Sequence, residues 1–133
     1  MKSSLPMIPE ALAQAGQRAL EKHVASVNGL QLALLASPDG FEIACLRNRS
    51  DLQANRLSAI ASSLMAMARA VGREIQSPNC KRLTFETDGG VVIFQPMGTS
   101  TPCILCMVIS ADAVLGRALW AAGEVAQDMA REG

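Results

Sequence analysis

The stretch Asp51–Ile75, DLQANRLSAIASSLMAMARAVGREI, decides how the rest of the chain is arranged. Leu57, Ile60, Leu64, Met67, Val71 and Ile75 recur at steps of three and four, which is the spacing of one helix face. Asp51 stands where an N-cap would, and Pro78 stops continuation past Ser77. A second stripe, Ala59, Ser63, Ala66 and Ala70, follows the same step but is small and only mildly polar. A face meant for water would carry more charge. The expectation is therefore a helix that lays its large apolar stripe on a sheet and turns its small stripe to another protein surface.

Outward from this helix, each flank supplies strands. Leu30–Ala36 and Phe41–Leu46 are joined by Ser37-Pro38-Asp39-Gly40, a strong turn signal, and make a hairpin. On the other side come Lys81–Thr87, the turn Asp88-Gly89, then Val91–Gln95, a loop from Pro96 to Pro102, and Cys103–Ile109. A first helix is expected from Pro9 to about Val27, with Asn28-Gly29 ending it. A last helix runs from about Ala111, capped by Ser110 or Asp112, to about Arg131, with Leu115, Leu119, Ala122, Ala126 and Met129 facing inward.

Strands buried on both faces read as unbroken apolar runs, whereas edge strands alternate. That places the first, fourth and fifth strands inside and the second and third at the edges. The order 2-1-5-4-3 satisfies this with hairpin neighbours adjacent. The central helix then crosses one face of a mostly antiparallel sheet, and the N- and C-terminal helices cover the other. Gly16, Gly116 and Gly123 would allow their close approach. The fold class is a three-layer α/β/α sandwich with residues 1–8 as an N-terminal extension and 9–131 as one domain.

The totals exclude several function classes. The chain has 133 residues, half of them apolar, which suffices for one core without staples. Twelve basic and twelve acidic residues cancel, and aromatic residues are scarce with tyrosine absent, so neither a nucleic-acid footprint nor a base-stacking platform is expected. Cys103–Ile109, the longest apolar run, is too short to span a bilayer, and Met1–Glu10 lacks the apolar core of a signal peptide. Four cysteines in an ordinary core composition suit reduced thiols in the cytoplasm.

No motif points to catalysis, a metal or a cofactor. His23, the sole histidine, lacks any specified nucleophile and is expected to pack or to line a rim. Cys103-Ile-Leu-Cys106 has the letters of a thiol pair, but on a strand positions three apart point to opposite faces. Gly89-Gly90 and Gly98 lack the lysine and hydroxyl of a phosphate loop, and no carboxylate pair is singled out. Of the remaining thiols, Cys80, beside Lys81 and Arg82, is a more reactive candidate than Cys45. Arg49, Arg56, Arg69 and Arg73, with Arg47 nearby, read as a rim for an acidic partner around the small stripe.

Several local strings, in order, resemble the roadblock (dynein light chain roadblock-type) family. They are Val27-Asn28-Gly29 before a strand, Pro38-Asp39-Gly40-Phe41 with Ile43-Ala44, Leu57–Leu64, Asp88-Gly89-Gly90-Val91, and Asp112–Gly116 opening the last helix. The resemblance implies a non-enzymatic regulator or scaffold of a small Ras-like GTPase. It also implies a homodimer whose third strands pair edge to edge and whose central helices meet across the two-fold axis. The expected dimer residues are Ala59, Ser63, Ala66 and Ala70 on the helix and Arg82, Thr84 and Glu86 on the strand. With the axis beside Thr84, Arg82 faces Glu86 of the other copy. The alternative is a small-molecule-sensing module of the same architecture.

Overall fold

The structure, a computed structural model, describes residues 8–98 and 101–132; of the expected N-terminal extension, residues 1–7 lie outside it. The elements are α1 (Glu10–His23), β1 (Leu30–Ala36), β2 (Glu42–Arg47), α2 (Ala54–Glu74), β3 (Leu83–Thr87), β4 (Gly90–Met97), β5 (Cys103–Ser110) and α3 (Leu115–Glu132). The five strands form one sheet in the order β2-β1-β5-β4-β3. Every neighbouring pair is antiparallel. The order inferred from the apolar runs is the observed one.

Strand alternation divides the interior in two. Leu35, Ile93, Leu105, Met107 and Ile109 join Leu20, Val24, Ala118, Val125 and Met129 on the α1/α3 side. Leu32, Leu34, Phe94, Ile104 and Cys106 join Ala54, Ala61 and Met65 on the α2 side. Fully apolar β1 and β5 thus feed both layers, which is why neither reads as alternating. Strand β4 extends through Pro96, which pairs with Ile104 of β5. On its other side the ladder with β3 ends at Phe94, so the missing proline N–H interrupts no bond there.

The central helix differs from expectation in two respects. It starts at Ala54 rather than after Asp51, and no side chain caps it. Asp51 is instead held by Arg49, at 2.9 and 2.6 Å, and so cannot serve the helix amides. The helix is also rotated. Its buried residues are Ala54, Ser58, Ala61, Met65 and Gly72; Leu57 and Leu64 of the large stripe pack partly against the same layer, whereas Ile60, Met67, Val71 and Ile75 are exposed.

The reason is volume. The facing strands already present Leu32, Leu34, Phe94 and Ile104, so a helix bearing small residues approaches them closely without overfilling the layer. The β1–β2 turn fixes the same rotation. Gly40 has a φ of +96°, open to glycine, and a Cβ there would sit 3.4 Å from Ala59 Cα. Ser62 Oγ donates to the Pro38 carbonyl of that turn at 2.5 Å. At the far end Ser77 N–H bonds back to Gly72 O at 2.7 Å. A Cβ on Gly72 would lie 2.5 Å from the Ser77 carbonyl oxygen, so the chain can fold back here only over a glycine.

On the opposite layer, Gly16 allows the expected close approach: a Cβ would meet Leu35 at 3.0 Å and Ala44 at 3.3 Å. Gly116 and Gly123 do not. A Cβ at either would meet nothing within 4 Å, and both lie away from the inner face of α3. That inner face is Ala118, Ala121, Ala122, Val125 and Met129, with Leu115 exposed, so the expected inward stripe holds only at Ala122 and Met129 among fully buried residues.

Candidate protein-binding site

The groups that could carry chemistry are mostly absorbed by structure. Cys103 lies in the α1/α3-side layer and Cys106 in the α2-side layer, on opposite faces of β5 as strand geometry requires. Burial pushes the Cys103 thiol up to about 11 and the Cys106 thiol up to about 12, so neither ionises near neutrality. Burial also raises Cys45, with Glu42 adding to the effect and Arg47 opposing it. Cys80 is half-buried in the segment after α2. Among the described residues no cluster of three or more His, Cys, Asp or Glu is gathered to hold a metal ion. No helix among them is long and apolar enough to cross a membrane.

His23 packs where α1 meets α3, and its Nε2 donates to Asp128 Oδ2 at 2.8 Å. The other carboxylate oxygen accepts from Arg131 Nη1 at 2.8 Å. Burial works to raise the Asp128 carboxyl, but His23, Lys22 and Arg131 outweigh it and hold the group below the usual carboxylate range. The pair ties the first helix to the last across 105 positions of sequence. Ser26 lines the adjoining groove without bonding to the ring.

The arginines expected to form one rim do not share one role. Arg49 is engaged: it holds Asp51 through two nitrogens and Gln31 Oε1 through a third, at 2.9 Å. The hydrogen bond and charge of Asp51 raise the pKa of that guanidinium, so it is spoken for within the protomer. Arg47 donates to Leu52 O at 2.8 Å. Arg56, Arg69 and Arg73 are exposed along α2 and form no ion pair among the described residues. Arg69 stands over a cleft of about 400 Å³ between α2 and the end of the sheet, walled by Pro38, Met65, Pro96, Met97 and Ile104.

What remains open is a surface on the α2 side. Ile60 is 43% exposed, Met67 57% and Val71 60%, all on one flank of the helix. Ala59, Ser63, Ala66 and Ala70 are exposed as well, and point away from the sheet. Strand β3 pairs only with β4, which leaves its outer edge open among the described residues. Phe85, 43% exposed, faces the α2 side, edge-on to Phe94 with ring centroids 6.1 Å apart. Thr84 and Glu86 occupy the opposite face of the same strand, and Arg82 lies one residue before it rather than within it as expected; all three are exposed, with Arg82 Nε donating to Gln95 Oε1 at 3.2 Å.

The helix flank is the feature that sequence periodicity places wrongly. Its large residues are expected on the sheet because they have the larger apolar area; Leu57 and Leu64 do pack there, but the sheet's own bulk leaves Ile60, Met67 and Val71 outside. A signal for the reversal is present in the run Ala54, Ser58, Ala61, Met65, Ala68, Gly72, a third helical stripe of mostly small residues.

Comparison with known proteins agrees with this architecture. Solved structures of similar fold include an MglB with a tetrameric arrangement, at a TM-score of 0.81 and 19% identity, covering 98% of this chain and 96% of that one. The gliding protein MglB from Thermus thermophilus gives 0.79 and 16% over 98% and 96% of the two chains. MglB from Myxococcus xanthus gives 0.77 and 11% over 96% and 92%. No curated protein matches the sequence. The family model described as the Roadblock/LC7 domain matches residues 17–108, well over half of the chain. That match runs from within α1 into β5, a span that contains all but the last two residues of the sheet and the exposed flank of α2, and the chain therefore belongs to the Roadblock/LC7 family.

Proposed function

We propose that the chain is a non-enzymatic regulator or scaffold that binds a small Ras-like GTPase as a homodimer in the cytoplasm. The observation that carries this reading is the uncovered flank of α2, Ile60, Met67 and Val71, on the same side of the sheet as Phe85 at an open edge. Each is about half exposed, so leaving it uncovered forgoes roughly half of the ~1.5–3 kcal/mol that full burial of such a side chain supplies. A second copy joined through β3 would extend the sheet and bring its own α2 beside this one. The outward stripe Ala59, Ser63, Ala66 and Ala70 would then lie on top of the paired helices, with Arg56, Arg69 and Arg73 around it. A broad, shallow surface edged by arginines suits a folded partner with acidic loops. Family membership supports the class of partner, as the roadblock resemblance implies.

The test is pull-down of purified small Ras-like GTPases from the native genome, loaded with GTP or GDP, followed by GTP hydrolysis with and without the protein. Binding that prefers one nucleotide state, and is lost in Arg56→Glu/Arg73→Glu, is the expected result. Faster hydrolysis identifies an activator; binding without acceleration identifies a scaffold. A dimer that ignores every such GTPase in both states overturns the reading. One observation favours the sensing alternative: the cleft of about 400 Å³ under Arg69 has apolar walls and one cation. A thermal-shift screen with apolar carboxylates addresses it directly.

A further inference from the structure

On the far side of the molecule from α2, helix α3 carries a second unpartnered face with a different composition. Trp120, the only tryptophan in the chain, is 73% exposed there. Gly116 lies one turn before it and Gly123 one turn after, on the same outer face, with open space where either Cβ would be. A mid-helix glycine such as Gly123 weakens a helix relative to alanine, and nothing within this protomer requires it. The outer face also lines a groove of about 390 Å³ with Lys22, His23 and Val27 of α1 and its C-terminal extension. Arg117 and Glu124 flank Trp120 on this face, and neither has an ion-pair partner among the described residues.

We infer that this face of α3 binds the same face of a second copy, helix against antiparallel helix. Arg117 precedes the Trp120–Ala121 midpoint by as much as Glu124 follows it. A two-fold axis through that midpoint sets Arg117 of each copy against Glu124 of the other, so one face is complementary in charge to itself. The notch left by the two glycines lets the helices approach closely, and each Trp120 ring covers the partner's notch and groove. A large exposed aromatic beside a gap of its own making is the arrangement of an interface anchor. The contact uses none of the α2 flank or the β3 edge, so it stands whether or not those surfaces pair.

Trp120 is its own probe, since no other tryptophan contributes emission. Sedimentation over a concentration range is to be run alongside the emission spectrum of the full chain. The expected result is a mass that rises with concentration as the Trp120 emission moves to shorter wavelength. Arg117→Glu holds the smaller mass and the solvent-exposed emission, and Arg117→Glu/Glu124→Arg restores the larger mass and the shift. Trp120→Ala weakens association at least about tenfold. Gly123→Gln, which fills the notch, lowers association while raising the melting temperature of the dilute protein, an opposition that a folding defect does not produce. Emission that stays solvent-exposed at every concentration, a mass indifferent to Arg117→Glu, or a charge swap that restores nothing overturns the inference. So does a blue shift that arises only when a different protein is added. Met67→Glu, on the other side of the sheet, leaves the Trp120 shift in place, which separates this contact from pairing through α2.

Discussion

Asp128 shows how one side chain can tie distant parts of this chain together. Its two oxygens take N–H groups from His23 on α1 and Arg131 on α3, both at 2.8 Å. Its side chain is 23% exposed, so water screens the pair only in part. Because the folded carboxyl titrates below its ordinary value, it binds protons less readily in the folded chain than in the unfolded one. The stabilisation is therefore complete above the unfolded value, near about 4, and is lost as pH falls through the depressed folded value. Asp128→Asn keeps the shape and removes the charge. It should cost about 1 kcal/mol at pH 7. The difference from the natural chain should shrink as pH falls through the depressed folded value, below which both lack the charge. Urea unfolding at pH 7 and in steps below about 4 is the check, and a pH-independent difference would show that the carboxylate's charge contributes nothing.

At the scale of elements the informative case is α2. Its existence and length are legible in Asp51–Ile75, because a three-and-four apolar step over more than five turns admits no other reading. The sheet order is legible too, since unbroken Leu30–Ala36 and Cys103–Ile109 demand cover on both faces while Lys81–Thr87 does not. The rotation of α2 is not. Periodicity reports which residues share a face, and the facing strands decide which face fits. With Leu32, Leu34 and Phe94 opposite, the layer takes Ala61 and rejects Ile60. For the same reason the sequence misplaces Gly116 and Gly123: a glycine in a helix indicates close approach without saying of what.

The rotation has a direct test. Ala61 is fully buried on the sheet, and Ala66, of the same type in the same helix, points outward. Ala61→Leu should destabilise by about 1–3 kcal/mol through overpacking. Ala66→Leu should change stability by no more than about 0.5 kcal/mol, as at other surface positions. Equal effects in chemical denaturation would place the helix in another rotation.

For the whole molecule, the two sides of the sheet present different kinds of surface. The α1/α3 layer is closed by Leu20, Val24, Val125 and Met129, all fully buried or nearly so, whereas the α2 layer ends in Ile60, Met67, Val71 and Phe85 in contact with water. A single helix is too narrow to cover five strands, and the strip beside α2 leading to β3 is where a second α2 would lie. If two copies share one extended sheet, the charge pattern of β3 sets the register, with Arg82 of one strand facing Glu86 of the other and contributing roughly 0.2–1 kcal/mol per pair. In that arrangement the apolar flank would supply most of the affinity, because it would remove several large side chains from water at once.

These terms separate by mutation. Met67→Glu places a charge in the apolar contact and, in an Arg117→Glu background that silences the α3 face, should convert dimer to monomer at micromolar concentration, with the circular dichroism of the fold unchanged because Met67 is exposed in the protomer. Glu86→Arg should only weaken the dimer, and exchange of Arg82 and Glu86 together should restore it. Ala66→Arg, one position from Met67 but on the outward stripe, distinguishes two arrangements of the helices. Side-by-side packing on the sheet tolerates the arginine and loses only GTPase binding, whereas packing through the small stripe loses the dimer. Sedimentation equilibrium of the four variants in the Arg117→Glu background reads the outcome, and a Met67→Glu protein that remains dimeric there would remove the large-residue flank from the interface.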